Sequence, residues 1–393
     1  MAHQPTSSAH PPLPPTSEED LLSRLRLLRS RRVGVATYWR LLAQHGTAEA
    51  ALDVLPDIAR AAGVAGYQAC SREAAQAELE AGHERGARLL AHGDPLYPAL
   101  LAALPDAPPL LWMRGRGALL RRPMLALVGA RNASSLGRRM AHRLSGALAE
   151  AGWVVVSGLA RGIDAEAHAA ALPSGTIAVL AGGIDVTYPT ENADLARRIS
   201  TDGLALSEQA VGLTPQGRHF PARNRIVAGL ARAVIVVEAA ARSGSLITAR
   251  CALEAGREVL AVPGHPFDAR AAGCNMLIRD GAALVRGADD VIDLLESAPC
   301  PAPPVAPPAA PEPAARAAAP RRDRADSPAP PALSDRILGQ LGAAPLAEDQ
   351  LTRDLGLPAP MVACALTELE LEGRVERRAG GLLSRRDLSP AQG

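Results

Sequence analysis

The stretch MLALVGARNASSLG, residues 124–137, decides the fold. Met124 to Val128 form a continuous apolar run of strand length, and Gly129 makes a turn. A buried strand that breaks into glycine and then into a serine-led helix is the entry to a nucleotide-binding βαβ unit. Such a unit carries G-x-G-x-x-G, so that bare backbone approaches a pyrophosphate. Here Arg131 stands at the second glycine position, and the next strand, WVVVSG at 153–158, ends without the acid that binds ribose hydroxyls. The pattern argues against a dinucleotide, and no cofactor is expected. An arginine in that turn presents a planar fork suited to a phosphate diester. The expectation is a phosphate-binding loop that works by side chain and hydroxyl, through Arg131 and Ser134, with Ser135 as a further candidate.

Outward from this loop the alternation continues. WVVVSGLA, TIAVLAGG, LALSEQ, AVIVVEAA, EVLAVPG and ALVRG read as further strands, with helices such as GRRMAHRLSGALAEAG between them. This predicts an α/β fold: an extended Rossmann-like, doubly wound parallel sheet over 91–296, with ligands beyond the carboxyl ends of its strands. Residues 18–90 predict an all-α module of the SAM or helix-hairpin-helix kind, from apolar spacings of three and four in ATYWRLLAQHG and EAALDVLPDIARAAG. Such a module touches DNA backbone or another protein, and its charge balance does not separate the two. Residues 297–331 read as a Pro/Ala-rich linker, and 332–388 as three helices and a hairpin, a winged helix. Residues 1–17 are expected to be a disordered tail.

A net charge of +1 demands no nucleic-acid or membrane partner by itself. All 42 basic residues are arginine, which removes any P-loop lysine or Schiff base. The five cysteines are scattered without C-x-x-C spacing, so a reducing, cytoplasmic setting is expected and no zinc or other metal site. No run reaches the ~18 apolar residues of a membrane span.

Three other strand ends break into glycine. Gly158 leads to Arg161, Gly182-Gly183 lead to Asp185 and Tyr188-Pro189, and AVIVVE leads to Arg242-Ser243-Gly244-Ser245 at a helix start. Helix N-termini reached through Gly and Ser offer N–H groups to an anion, which makes Arg161, Ser243, Gly244 and Ser245 candidates. GRHFPARNRI, residues 217–226, sets Arg218, Arg223 and Arg225 around Phe220, and seven arginines face two acids over 209–257. Charge for a backbone and a ring for a base suit single-stranded nucleic acid. Arg131, Arg223 and Arg225 are expected to hold phosphates, Phe220 to stack a base, and Asn224 to meet a base edge. His168, His219 and His265 lack a nucleophile or metal partner. Asp164 and Glu238 are expected to bond to loop amides or arginines.

GARNASSLG, at 129–137, resembles the G-S/A-R-x-x-S-x-Y-G loop of the DNA-processing protein A family (DprA, also called Smf). SGLARGIDAEAH, TIAVLAGGIDVTYP, LSEQ, FPARNRI, VVEAAARSGSLITA, AVPG and GCNMLIRDGA follow in the family's order, covering nearly all of 92–290. The resemblance implies a non-enzymatic protein that binds and protects incoming single-stranded DNA, helps load the RecA recombinase during natural transformation, and forms a homodimer. The family's DNA pocket falls on Arg131, Ser134, Gly212, Phe220 and Arg223, with Gly129 in the loop itself. Leu136 replaces the loop aromatic, and Arg218 stands near the place of a lysine found in some relatives.

Two rivals are weighed. A LOG-like nucleotide phosphoribohydrolase shares a related core, but Thr248 stands where its hydrolytic glutamate would be. A carrier of a phosphorylated small molecule needs fewer arginines than 209–257 holds. In the winged helix, PMVACALTELELEG at 360–373 carries Glu368, Glu370 and Glu372 and no basic residue, with Arg374, Arg377 and Arg378 only in the wing. Acids repel phosphate, so protein contact is expected there rather than duplex reading.

Overall fold

The computed structural model describes residues 17–297, 331–341, 345–357, 359–377 and 382–385. Nearly all of the expected tail and linker, and Arg378, lie outside the described residues. Four helices come first: α1 (Glu18–Arg29), α2 (Val35–His45), α3 (Ala48–Ala61) and α4 (Arg72–Glu84). Ser17, Thr47 and Ser71 cap α1, α3 and α4 by accepting the N–H three residues on. Their apolar stripes close over Leu25, Tyr38, Leu41 and Leu55.

Strand and short helix follow, β1 (Arg88–Ala91), α5 (Ala99–Ala102) and β2 (Leu110–Gly115). The alternating part then runs β3 (Met124–Val128), α6 (Ser135–Glu150), β4 (Val154–Ser157), α7 (Ile163–Ala171), β5 (Thr176–Leu180), α8 (Ala193–Asp202) and β6 (Leu204–Ser207). It continues through α9 (His219–Leu230), β7 (Ala233–Val236), α10 (Ser245–Glu254), β8 (Glu258–Ala261), α11 (Ala272–Arg279), β9 (Ala283–Leu284) and α12 (Ala288–Ser297).

The sheet order is β1-β2-β6-β5-β4-β3-β7-β8-β9. β3 to β9 are parallel, as the alternation requires. β2 lies antiparallel to both β1 and β6, so one edge of the sheet is mixed. That edge departs from the expectation of an all-helical 18–90 with strands only from 124 onward. RLLA at 88–91 has no alternation of its own, and its strand character comes from the partner across the ladder.

Parallel strands buried on both faces explain the uninterrupted apolar runs. Met124, Ala126 and Val128 pack on the side of α9 and α10, while Leu125 and Leu127 pack on the side of α6, α7 and α12. Strand order runs both ways from β3, which puts the topological switch point between β3 and β7.

The C-terminal unit comprises α13 (Pro331–Gln340), β10 (Leu346–Ala347), α14 (Glu348–Leu355), α15 (Ala359–Glu372), β11 (Val375–Arg377) and β12 (Leu382–Arg385). Its three strands order as β10-β12-β11, and Ile337, Leu351, Leu366 and Leu369 form a core of their own. Among the described residues no helix is long and apolar enough to cross a membrane.

Candidate nucleic-acid interface

The carboxyl ends of β3, β4 and β5 open into a cavity of about 300 Å³. Arg131 comes to it from the β3 exit, Gly158, Ala160 and Arg161 from the β4 exit, and Gly182, Tyr188 and Glu191 from the long β5–α8 loop. Phe220 and Arg223, one turn apart on α9, complete it. One wall is a stack of three side chains. The Arg131 guanidinium lies over Phe220, 5.1 Å from the ring centroid, and Tyr188 tilts against the same ring at 5.5 Å. Tyr188 is half exposed, so a ring face is available to a flat ligand.

Arg223 forms the floor. It is 6% exposed, and one guanidinium nitrogen donates to the Val179 carbonyl at 2.8 Å. Its Nε has no hydrogen-bond partner, and among the described residues Arg223 forms no ion pair. Burial pushes it down to about 10, with Asp164 opposing and Arg131 adding repulsion, so it stays charged at neutral pH. Gly158 is required here: a Cβ would sit 1.7 Å from the Arg223 guanidinium. A desolvated cation without an ion pair, lining a cavity, is a candidate anion site.

Beneath it lie groups that hold shape. Asp164 accepts from the Gly158 and Ala160 amides at 3.1 and 3.3 Å, and burial raises its pKa. His168 is fully buried with Nδ1 2.7 Å from Thr176 Oγ1. That hydroxyl donates to the Val155 carbonyl, so Nδ1 must carry the proton and Nε2 is bare. Burial, with Arg223 nearby, holds the ring down at about 3, hence neutral and without acid–base work at ordinary pH.

The switch point tells a different story from the one the sequence suggested. Ser134 caps α6 by accepting the Gly137 N–H at 2.9 Å. Glu238, from the β7 exit, accepts both the Ser134 N–H, at 2.9 Å, and the Ser134 hydroxyl. The place where a dinucleotide pyrophosphate would rest is filled by this carboxylate, not by Arg131. Ser134 therefore has no free hydroxyl for phosphate, and its expected role is corrected to helix cap. Gly129 packs here too, since a Cβ would meet Ile163 at 2.6 Å.

Three further expectations are revised. Arg225 points into an internal ion network, 2.6 Å from Glu208 and 3.5 Å from Asp106, with its side chain 11% exposed. Its charge is answered within the fold and it does not line the cavity, contrary to the expectation that it faces a phosphate. Ser243, Gly244 and Ser245 do not line the cavity, the Ser243 amide donates to Ala240 O, and the two serine hydroxyls bond at 2.7 Å. Asn224 is likewise absent from the lining.

Gly212 is exposed at φ +80° in the β6–α9 loop, where its N–H donates to Asp185 at 2.7 Å and the neighbouring Leu213 carbonyl accepts from Gly183. It shapes the cavity's edge without lining it. Arg218 is exposed and pairs with no carboxylate among the described residues, its Nε lying 3.3 Å from His219. Arg161 stands at the rim, 3.6 Å from Glu191. Tyr188 was missed as a site residue. Its signal was present in the glycine-broken exit of TIAVLAGG, which ends five residues before it.

The central part of the chain, 88–296, matches the family described as DNA recombination-mediator protein A. Residues 18–81 match a DprA-like N-terminal HHH domain, and 301–381 a DprA winged helix domain. The chain is 49% identical over 201 residues to DNA processing protein DprA of Streptococcus pneumoniae, covering 51% of this chain and 71% of that one. It is 38% identical over 288 residues to Protein Smf of Escherichia coli, covering 72% and 74%. The X-ray structure of DprA from Streptococcus pneumoniae aligns with a TM-score of 0.53 at 38% identity, covering 66% of this chain and 98% of that one. DprA from Helicobacter pylori, described for a unique single-stranded DNA binding mode, aligns at 0.50 and 31% identity, covering 53% and 95%.

Proposed function

Since the chain belongs to the DNA recombination-mediator protein A family, we propose that the cavity over β3, β4 and β5 is where it holds single-stranded DNA. The observation that carries the reading is Arg223: a buried, charged side chain that lines the cavity and has no ion pair among the described residues. A phosphate there supplies the counter-charge Arg223 lacks, while Arg131 and Arg161 at the opening add charge. The Phe220–Tyr188 wall gives a base something to stack on. The contacts are to groups every nucleotide has, so binding is sequence-tolerant. In the same reading the protein protects the strand and helps load RecA on it during natural transformation, in the cytoplasm and as a homodimer. It binds rather than catalyses: the buried groups under the cavity hold the floor in place. The candidate nucleic-acid contacts are Arg131, Arg161, Tyr188, Arg218, Phe220 and Arg223.

Fluorescence anisotropy with a labelled dT oligomer tests this. Binding should weaken steeply with salt, by a logarithmic slope of about −0.7 per phosphate neutralised. Duplex of equal length should compete poorly, and Arg131→Ala should weaken binding about tenfold or more. Unchanged affinity in that variant would move the site elsewhere.

A further inference from the structure

The acidic helix of the winged unit faces a partner in the same chain. Val362, Ala365, Leu366 and Leu369 of α15 point into the unit's own core. Thr367 and Glu370, one turn apart on the adjoining face, meet Thr37 and Arg40, one turn apart on α2. The Thr37 hydroxyl donates to Glu370 at 2.9 Å, and Arg40 donates to Thr367 and lies 3.6 Å from Glu370. α15 also runs against α3, and Gly373 approaches the Arg32 guanidinium.

The charges form a closed set. Within the winged unit Arg377 bonds to Glu370 at 3.1 Å and to Glu348 at 2.7 Å, one cation between two carboxylates. Arg40 reaches both carboxylates, 3.8 Å from Glu348, and supplies the missing positive charge. Arg40 and Glu370 keep only 11% and 8% of their side-chain surface, so water screens this set less than a surface pair.

We propose that the winged helix is a clasp, and that the partner of its recognition helix is the Arg40 face of the N-terminal module in the same chain. Glu370, one of the acids that make α15 a poor reader of phosphate, is the one that meets this face. In the clasped state the outward face of α15 is unavailable to duplex DNA.

The test uses the full chain with a specific protease site placed between 305 and 320. After cleavage at low salt, the two fragments should co-elute in gel filtration, and they should separate at high salt. Arg40→Glu and, independently, Glu370→Ala should each weaken retention about tenfold or more. Circular dichroism and dT binding check that each variant is folded. Separation of the wild-type fragments at low salt would overturn the proposal, as would retention of either folded variant at wild-type strength. Displacement of the C-terminal fragment by duplex DNA would assign α15 to nucleic acid instead.

Discussion

Two hollows lie at the carboxyl edge of one sheet, built from the same materials, and they end in opposite states. At the switch point the α6 N-terminus exposes amides and a serine hydroxyl, and Glu238 from a segment a hundred residues on occupies them. Two strands away, Arg223 is buried beside glycine-notched turns, and only a backbone carbonyl answers it. Both look like anion sites from their own loops. What separates them is a carboxylate delivered from elsewhere in the chain. An open site is marked by a polar group left unpaired after folding, and not by the motif that supplies it.

The same contrast runs inside one helix, and it yields the largest expected effect. Arg223 and Arg225 are two positions apart on α9, yet Arg225 is bound to Glu208 and Asp106 while Arg223 has no ion pair among the described residues. Arg225→Met strands Glu208, itself nearly buried, and should cost about 3 kcal/mol in urea unfolding. Arg223→Met removes a buried charge with little to hold it and should change stability by no more than about 1 kcal/mol. It should nevertheless abolish detectable dT binding. Equal destabilisation by the two would erase the distinction between a structural and a ligand-serving arginine.

Glu238→Ala comes next. Removing the carboxylate leaves the Ser134 amide and hydroxyl unanswered at a half-buried helix start, for a cost of about 1 kcal/mol. The vacated end of α6 should then behave as the site its sequence promises. Sulfate should raise the variant's melting temperature more than the wild type's. dT affinity should stay within about twofold, because Glu238 does not line the cavity.

The sheet was legible because its signals are local. Met124–Val128 and its successors are strands by composition, and the helices between them show their apolar spacing. Arg131, Phe220 and Arg223 were legible as chemistry, and the fold brings them together. The errors share one cause. Ser134 and Arg225 were read by residue type, while their partners Glu238 and Glu208 are set by how the chain returns. β1 failed for a related reason, being a strand only because β2 lies beside it. The winged helix is a further case: Glu370 stood out as an acid, while its contact with Arg40, more than 300 residues away, depends on how the chain folds.

The smallest effect probes the cavity floor through His168. Its ring titrates near 6.5 in an unfolded chain and at about 3 in the fold, where burial and then Arg223 disfavour the charged form. Throughout that interval the unfolded chain binds more protons than the folded one. This contribution to stability is therefore full above about pH 6.5 and is lost as pH falls toward 3. Between pH 7 and pH 6 the loss is about 0.7 kcal/mol, set by the unfolded value alone. Nitrogen-resolved NMR of the imidazoles reads it directly: His168 should remain neutral and protonated on Nδ1 at pH 5. A His168 that charged near pH 6.5 in the folded protein would mean water reaches the floor. Arg223 would then be solvated as well, and the desolvation that makes the open hollow bind an anion, where the closed one binds Glu238, would be gone.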